Sequence, residues 1–189
     1  IAALLEDYDV VGLQEDFDTE GHAALVGEAT HPASHWFDAL AAEDRVYGAG
    51  LSQLSRAEVV DDYEEHYDQC NGVFDGSSDC LASKGFQVLT LSLGGEELDF
   101  YNTHHEAGGG DEDVSARSSQ VDQVIAAVAA RSSDRAVLYT GDFNLRPSDI
   151  EDVEPLARYD EAGLLRSCDL LDCAESDHID QLRLRSSPT

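Results

Sequence analysis

An acid and an amide one residue apart carry the first hint of chemistry: Asp142 and Asn144, within AVLYTGDFNLR at 136–146. Val137, Leu138 and Tyr139 form an apolar run of strand formers, and Gly141 lets the backbone turn, so the polar pair stands at a strand's end. While the chain stays extended, residues two apart point the same way, and together they can hold a water, a metal or a phosphate oxygen. The same letters fit an Asx-rich turn that only ends a strand. In FYNTHHEAGGG a histidine pair ends another apolar run before a glycine-rich loop. Residue parity puts His104 with Asn102 and His105 with Thr103, which selects His104 as the imidazole to bond a phosphate or protonate a leaving group. Packing is the alternative for both. Glu15 closes DVVGLQ, a buried strand at 9–14, and is either a ligand or one solvated acid of the loop holding Asp16, Asp18 and Glu20. Asp180, near the start of IDQLRL at 179–184, is an acid in a strand that otherwise reads as buried, and it needs a hydrogen-bond partner there.

These residues need strands to position them. The clearest pair is 84–93 with 96–103, two alternating runs joined at Gly94-Gly95 as a hairpin. Residues 48–55 add a strand, and 2–8 read as the last turns of a helix with Leu4 and Leu5 on its apolar face. The amphipathic stretch 113–131, with Val121, Val124, Ile125 and Val128 at helical spacing, covers a sheet. Residues 147–171 read as mostly helical, with Ile150, Val153, Leu156, Leu164, Leu165, Leu170 and Leu171 as core candidates. Residues 19–43 are helical and then mixed, with Trp36 and Phe37 anchoring an irregular segment. His22, His31 and His35 lack metal-like spacing and read as surface or packing residues. The acid-rich stretch 56–69 is extended or helical.

A chain of 189 residues that is 42% hydrophobic buries one substantial core, so 1–189 is expected to be a single domain. Forty acids against eleven bases give a net charge of −29. Dense carboxylates with a single lysine, Lys84, suit a protein whose charges are screened by concentrated salt; a basic partner is the other reading. The arginines are scattered, which excludes a basic stripe for nucleic acid. No run is long enough to span a membrane as a helix. The cysteines fall as close pairs, Cys70 with Cys80 and Cys168 with Cys173, which fits two local disulfides and an oxidising compartment. A four-thiolate zinc site calls for tighter spacing, and four reduced thiols also fit. Within the first loop, Asn71-Gly72 and Asp75-Gly76 are turn dipeptides.

LQE at 13–15, NTH at 102–104, GDFN at 141–144 and IDQ at 179–181 occur in the order, and at roughly the spacing, of the endonuclease/exonuclease/phosphatase superfamily, the deoxyribonuclease-I-like fold. The resemblance covers nearly the whole chain. DCLASKGF at 79–86 followed by THHE resembles the bacterial neutral sphingomyelinase branch and its secreted relatives. The resemblance implies an α+β, four-layered α/β/β/α sandwich of two mainly antiparallel sheets. It implies that Glu15 binds the catalytic Mg²⁺ or another divalent cation, that His104 is the phosphate-side histidine or general acid, that Asp142 and Asn144 orient water and grip the phosphate, and that Asp180 orients the catalytic histidine. Water would attack a phosphodiester in line.

Two departures accompany the matches. The family's first strand, with its Asn, is expected before Ile1, and the strand with its Ser-Asp-His base is expected beyond Thr189. Ser176-Asp177-His178 spells those letters but precedes the IDQ strand instead of following it, so it reads as coincidence. The sandwich is therefore expected to be incomplete at both termini, and the 189 residues alone to turn over phosphodiesters weakly or not at all. Three functions follow: a secreted Mg²⁺-dependent phosphodiesterase acting on a phospholipid such as sphingomyelin, a nuclease of the same superfamily, or a non-catalytic binding module that keeps the sandwich.

Overall fold

The computed structural model describes residues 1–72, 79–173 and 177–188. Its centre is the glycine-joined hairpin, β5 (Gly85–Leu93) and β6 (Glu96–His104), paired antiparallel from Phe86↔Thr103 to Leu93↔Glu96. Gly94 and Gly95 take φ of 65° and 97°, the left-handed pair that a tight turn matching strand twist requires. Four more strands complete a six-stranded sheet of order β4-β5-β6-β7-β9-β8: β4 (Glu58–His66), β7 (Ala136–Asp142), β8 (Leu165–Arg166) and β9 (Asp180–Arg185). Only β6 and β7 run parallel, and α2 (Asp111–Arg131) makes the crossover that parallel neighbours need. Three acids in the first turn of α2 and Arg131 in its last complement the helix dipole, and Asp113 accepts the Gly110 N–H at 3.0 Å.

A smaller antiparallel sheet, β1 (Val10–Leu13), β2 (Ala33–Phe37) and β3 (Leu51–Ser55) in the order β1-β3-β2, lies across the first. Leu89, Leu91 and Phe100 fill the space between the sheets with Val10, Val59 and Leu138, and Gln53 on β3 donates to the Phe100 carbonyl at 2.7 Å. On the far face of the large sheet, α2 and α3 (Val153–Glu161) close the main core, where Phe86, Tyr101 and Tyr139 meet Val121, Val124, Val128 and Tyr159. Outside the small sheet lies α1 (Thr19–Glu28), whose His22 stacks on Trp36. The result is the expected α+β sandwich of two mainly antiparallel sheets between helices. Among the described residues no helix is long and apolar enough to cross a membrane.

Several local expectations change. The acid-rich stretch carries β4, an edge strand on which Asp61, Asp62 and Glu64 are exposed while Tyr63 packs on the core and half-buried Glu65 accepts from Tyr63 and Gln123; charges on an edge discourage further pairing. Trp36 and Phe37 stand on a regular strand. Residues 147–171 hold only α3, β8 and the short α4 (Ser167–Leu171); Leu156 and Leu164 are buried, but Ile150, Val153, Leu165, Leu170 and Leu171 are exposed, as is Leu4 in a single 3-10 turn. Strand β9 inverts its expected pattern: Gln181 and Arg183 are buried and Leu182 is exposed. Arg183 is tolerated inside because its guanidinium pairs with Asp160 at 2.9 Å, donates to the Leu164 carbonyl and lies over the Tyr159 ring. Both disulfides are formed, Cys70–Cys80 and Cys168–Cys173. Gly72 accepts the Cys80 N–H at 2.8 Å, whereas Asp75-Gly76 lies outside the described residues.

Candidate active site

Three neighbouring strands of the large sheet end together. His104 is the Cα partner of Asp142 across β6 and β7, and Asp142 is the Cα partner of Asp180 across β7 and β9, so the three form one row. The approach is close because Gly141 has no side chain: a Cβ there would stand 2.1 Å from the Thr103 carbonyl, at a φ of 150°. Beyond the strand the chain turns sharply. Asn144 is left-handed at φ 47°, its N–H bonds the Asp142 carboxylate at 2.9 Å, and its side-chain amide donates to the His105 carbonyl at 3.0 Å. Asp142 and Asn144 are thus joined by an Asx turn and not by the extended parity their spacing suggests. The turn and the polar pair are the same feature.

Glu15 arrives from the other sheet. Gly12 of β1 lies against β6 and β7 so tightly that a Cβ would sit 2.7 Å from both Asn102 and Thr140. Asn102 then bridges the sheets: its amide donates to the carbonyls of Leu13 and Ser52 at 3.0 and 3.1 Å and accepts from Gln14 at 2.6 Å. One residue later Glu15 is exposed and left-handed, at φ 59°. Burial raises the pKa of the Asp142 carboxyl, and the negative charges of Asp180 and Glu15 raise it further, while the Asn144 N–H and Lys84 oppose them. Glu15 and Asp180 therefore stand within electrostatic reach of Asp142. Asp180 is itself exposed, which removes the need for a buried partner.

The histidines divide as parity predicts. Thr103 and His105 both meet Tyr67 on the helix side, and His105 also bonds the hydroxyls of Tyr139 and Tyr159 at 3.0 and 2.9 Å. His104 turns its Nε2 to the site, 3.7 Å from Asp142 Oδ2 and 3.4 Å from Lys84 Nζ. Burial, and then the Lys84 charge, bring its pKa down to about 3, so the ring is neutral at physiological pH. Its buried Nδ1 has no hydrogen-bond partner among the described residues.

Lys84, which lies within DCLASKGF but was given no role there, stands beside His104. It is buried, ion-paired with Asp79 at 2.8 Å and bonded to the His105 carbonyl at 2.7 Å. The available signal was its solitude, the one lysine in a chain that otherwise uses arginine. Asp79 also accepts the Ala107 N–H at 2.7 Å, and buried Glu106 accepts the Asn71 N–H at 2.7 Å, so both acids tie the disulfide loop to the segment after His104. Burial lifts the Glu106 carboxyl to about 7. Asp177, of the Ser-Asp-His letters, accepts from the Ser148 N–H and hydroxyl; Ser176 lies outside the described residues.

The donor set can be weighed against a divalent cation. Among the described residues no three His, Cys, Asp or Glu side chains group closely enough to enclose a metal. Glu15 nevertheless offers a solvent-facing carboxylate within electrostatic reach of Asp142, and Mg²⁺ commonly takes one or two carboxylates and keeps its waters. Such a donor set suits an open, water-rich cation site better than a closed one.

Comparison with known proteins agrees with the fold. The family model described as Endonuclease/Exonuclease/phosphatase family 2 matches residues 55–180. A sphingomyelinase of Mycobacterium tuberculosis (strain ATCC 25618 / H37Rv) is 31% identical over 158 residues, covering 79% of this chain and 29% of that protein. The chain thus spans less than a third of the curated relatives it matches. Among solved structures, sphingomyelinase C from Streptomyces griseocarneus superposes with a TM-score of 0.76 at 20% identity, over 97% of this chain and 73% of that one. A Staphylococcus aureus beta toxin mutant with bound magnesium ions gives 0.78 at 14% identity, over 99% and 75%. At those identities the structures speak for the fold alone, but the family match spans well over half of the sequence: the chain belongs to endonuclease/exonuclease/phosphatase family 2, and resembles its sphingomyelinase-like members.

Proposed function

We propose that this chain carries the catalytic core of a divalent-cation-dependent phosphodiesterase whose substrate is a phospholipid such as sphingomyelin. The observation behind the reading is the row Asp180, Asp142 and His104 on paired strands, with Glu15 brought within electrostatic reach from the opposite sheet. In this reading Glu15 holds the cation, which when bound neutralises charge developing on the phosphate and leaving oxygen. Asp142, its carboxyl pKa raised by burial, orients the attacking water, and Asn144 fixes the Asp142 carboxylate and the phosphate. His104 acts as a neutral hydrogen-bond donor to a phosphate oxygen and not as an imidazolium acid, because its pKa lies far below neutrality. Lys84 adds positive charge beside it, and Asp180 sets the field at Asp142.

A surface of net charge −29 repels polynucleotides in dilute salt, which favours a lipid over a nucleic acid there and much less so in brine. The two disulfides support secretion, and the carboxylate density supports a saline setting. The test is release of phosphocholine from sphingomyelin vesicles beside nicking of plasmid DNA, each with and without Mg²⁺, for the wild type and Asp142→Asn. In a protein extended at each end, magnesium-dependent phosphocholine release that falls on the order of 100-fold in the variant is expected, with little release from the 189 residues alone. Nicking alone would transfer the reading to a nuclease, and silence in both from the extended protein would favour a binding module.

A further inference from the structure

Glu15 holds a backbone conformation that a non-glycine residue adopts only when its surroundings impose it. Its own carboxylate accepts no hydrogen bond among the described residues, so the constraint comes from its neighbours. On one side Gln14 is fixed through Asn102. On the other side Asp16 is held through its N–H, its carbonyl and one carboxylate oxygen. Its N–H donates to the Gly50 carbonyl at 2.9 Å, and its carbonyl accepts from Trp36 Nε1 at 2.8 Å. Its Oδ2 accepts from the buried Ser52 hydroxyl and lies 2.6 Å from His22 Nδ1. These partners come from α1, β2, β3 and the turn before β3, and they brace one another. Trp36 and Ser52 are Cα partners, and the His22 and Trp36 rings stack with centroids 4.2 Å apart. Gly50, left-handed at φ 61°, leaves the room that Phe17 fills, since a Cβ there would meet that ring at 2.2 Å.

We infer that Asp16, clamped by His22, Ser52 and Trp36, is a positioning residue that holds Glu15 in its left-handed conformation and so presents its carboxylate to a divalent cation. This rests on the metal role proposed for Glu15. The clamp touches neither the cation nor the phosphate; it acts through the backbone one residue away. Bringing a ligand to its place before the ion arrives removes the ordering cost from binding, and supports of this kind typically change metal affinity about 10–100-fold.

The test measures two quantities on the same variants: Mn²⁺ affinity by the paramagnetic resonance of free ion, and the exchange rate of the Asp16 amide hydrogen, which reports its bond to Gly50 directly. His22→Ala and Ser52→Ala should each speed that exchange and weaken Mn²⁺ binding about 10-fold. Asp16→Asn, which retains an acceptor oxygen for Ser52 and His22, should stay within about threefold of wild type on the same scale. Glu15→Gln should lose Mn²⁺ binding with the amide exchange unchanged. Faster exchange with unaltered Mn²⁺ affinity, in a protein where Glu15→Gln does abolish binding, would overturn the inference, as would unchanged exchange in both alanine variants. Unaltered affinity in Glu15→Gln would instead remove the metal role of Glu15, leaving the exchange rates to decide whether the clamp exists.

Discussion

His104 and Asp142 are Cα partners across the one parallel strand pair of the larger sheet among the described residues, and their side chains close to 3.7 Å. Burial acts on them in opposite senses of charge and the same sense of neutrality: it lowers the imidazole pKa and raises that of the carboxyl. Under the proposed function, a neutral donor and a carboxyl whose ionisation burial disfavours would stand side by side where water meets a phosphate.

Lys84 governs the imidazole. Its charge is the second cause, after burial, of the depressed His104 pKa. Lys84→Met should raise that pKa, read from the ring-proton shifts of His104 against pH. The same change leaves Asp79 as an unpaired buried carboxylate and should destabilise the fold by about 3 kcal/mol in urea unfolding. An unmoved His104 titration would contradict this account of the site.

His105 should make the protein acid-sensitive. Its pKa is depressed to about 3, chiefly by burial, so the folded state binds its proton less well than the unfolded chain. Stability from this group is complete above the ordinary value near 6.5 and is lost as pH falls towards the folded value. His105→Gln should flatten the dependence of unfolding free energy on pH between those limits by up to about 1.4 kcal/mol per pH unit, whatever it costs in packing. Urea titrations at a series of pH values would show it.

Glu106 works at the other end. Its folded pKa of about 7 lies above the unfolded value, so its contribution is complete below the unfolded value and is lost as pH rises through about 7. Glu106→Gln keeps an acceptor for the Asn71 N–H without the charge. The variant should gain on wild type by up to about 3 kcal/mol between pH ~5 and pH ~8, as measured by thermal unfolding at both. Parallel curves for the two proteins would show that Glu106 titrates normally.

The surface charge should make folding salt-dependent. With forty acids and eleven bases, raising KCl from about 0.1 M to about 2 M should screen the self-repulsion and lift the melting temperature by roughly 5 °C or more. A melting temperature indifferent to KCl would leave the carboxylates without a role in stability.

The strands that bear the site were legible because each announces itself locally. Two glycines placed the β5–β6 turn, parity separated His104 from His105, and apolar runs located β1, β7 and β9. The lower reliability of 147–171 has a physical reason. Helical spacing of apolar residues says nothing about whether a second surface exists to cover them, and among the described residues Leu165, Leu170 and Leu171 are exposed. Strand β9 misleads for the opposite reason: a long-range ion pair and two aromatic rings let Arg183 occupy an interior position that hydrophobicity would deny it.

The letters alone determined which acids, amides and histidines are on offer and which cysteines lie close enough to pair, since these depend on short stretches, while the α+β sandwich was implied by the resemblance of four motifs to a family. Tertiary structure decided what depends on chain segments far apart meeting. It set Glu15 of one sheet against Asp142 of the other, slipped Lys84 beside His104, turned Asn144 back on Asp142, and wrapped Asp16 in partners from three further segments. Such meetings follow from how closely two sheets can approach, which Gly12 and Asn102 settle only when both are present in the folded chain.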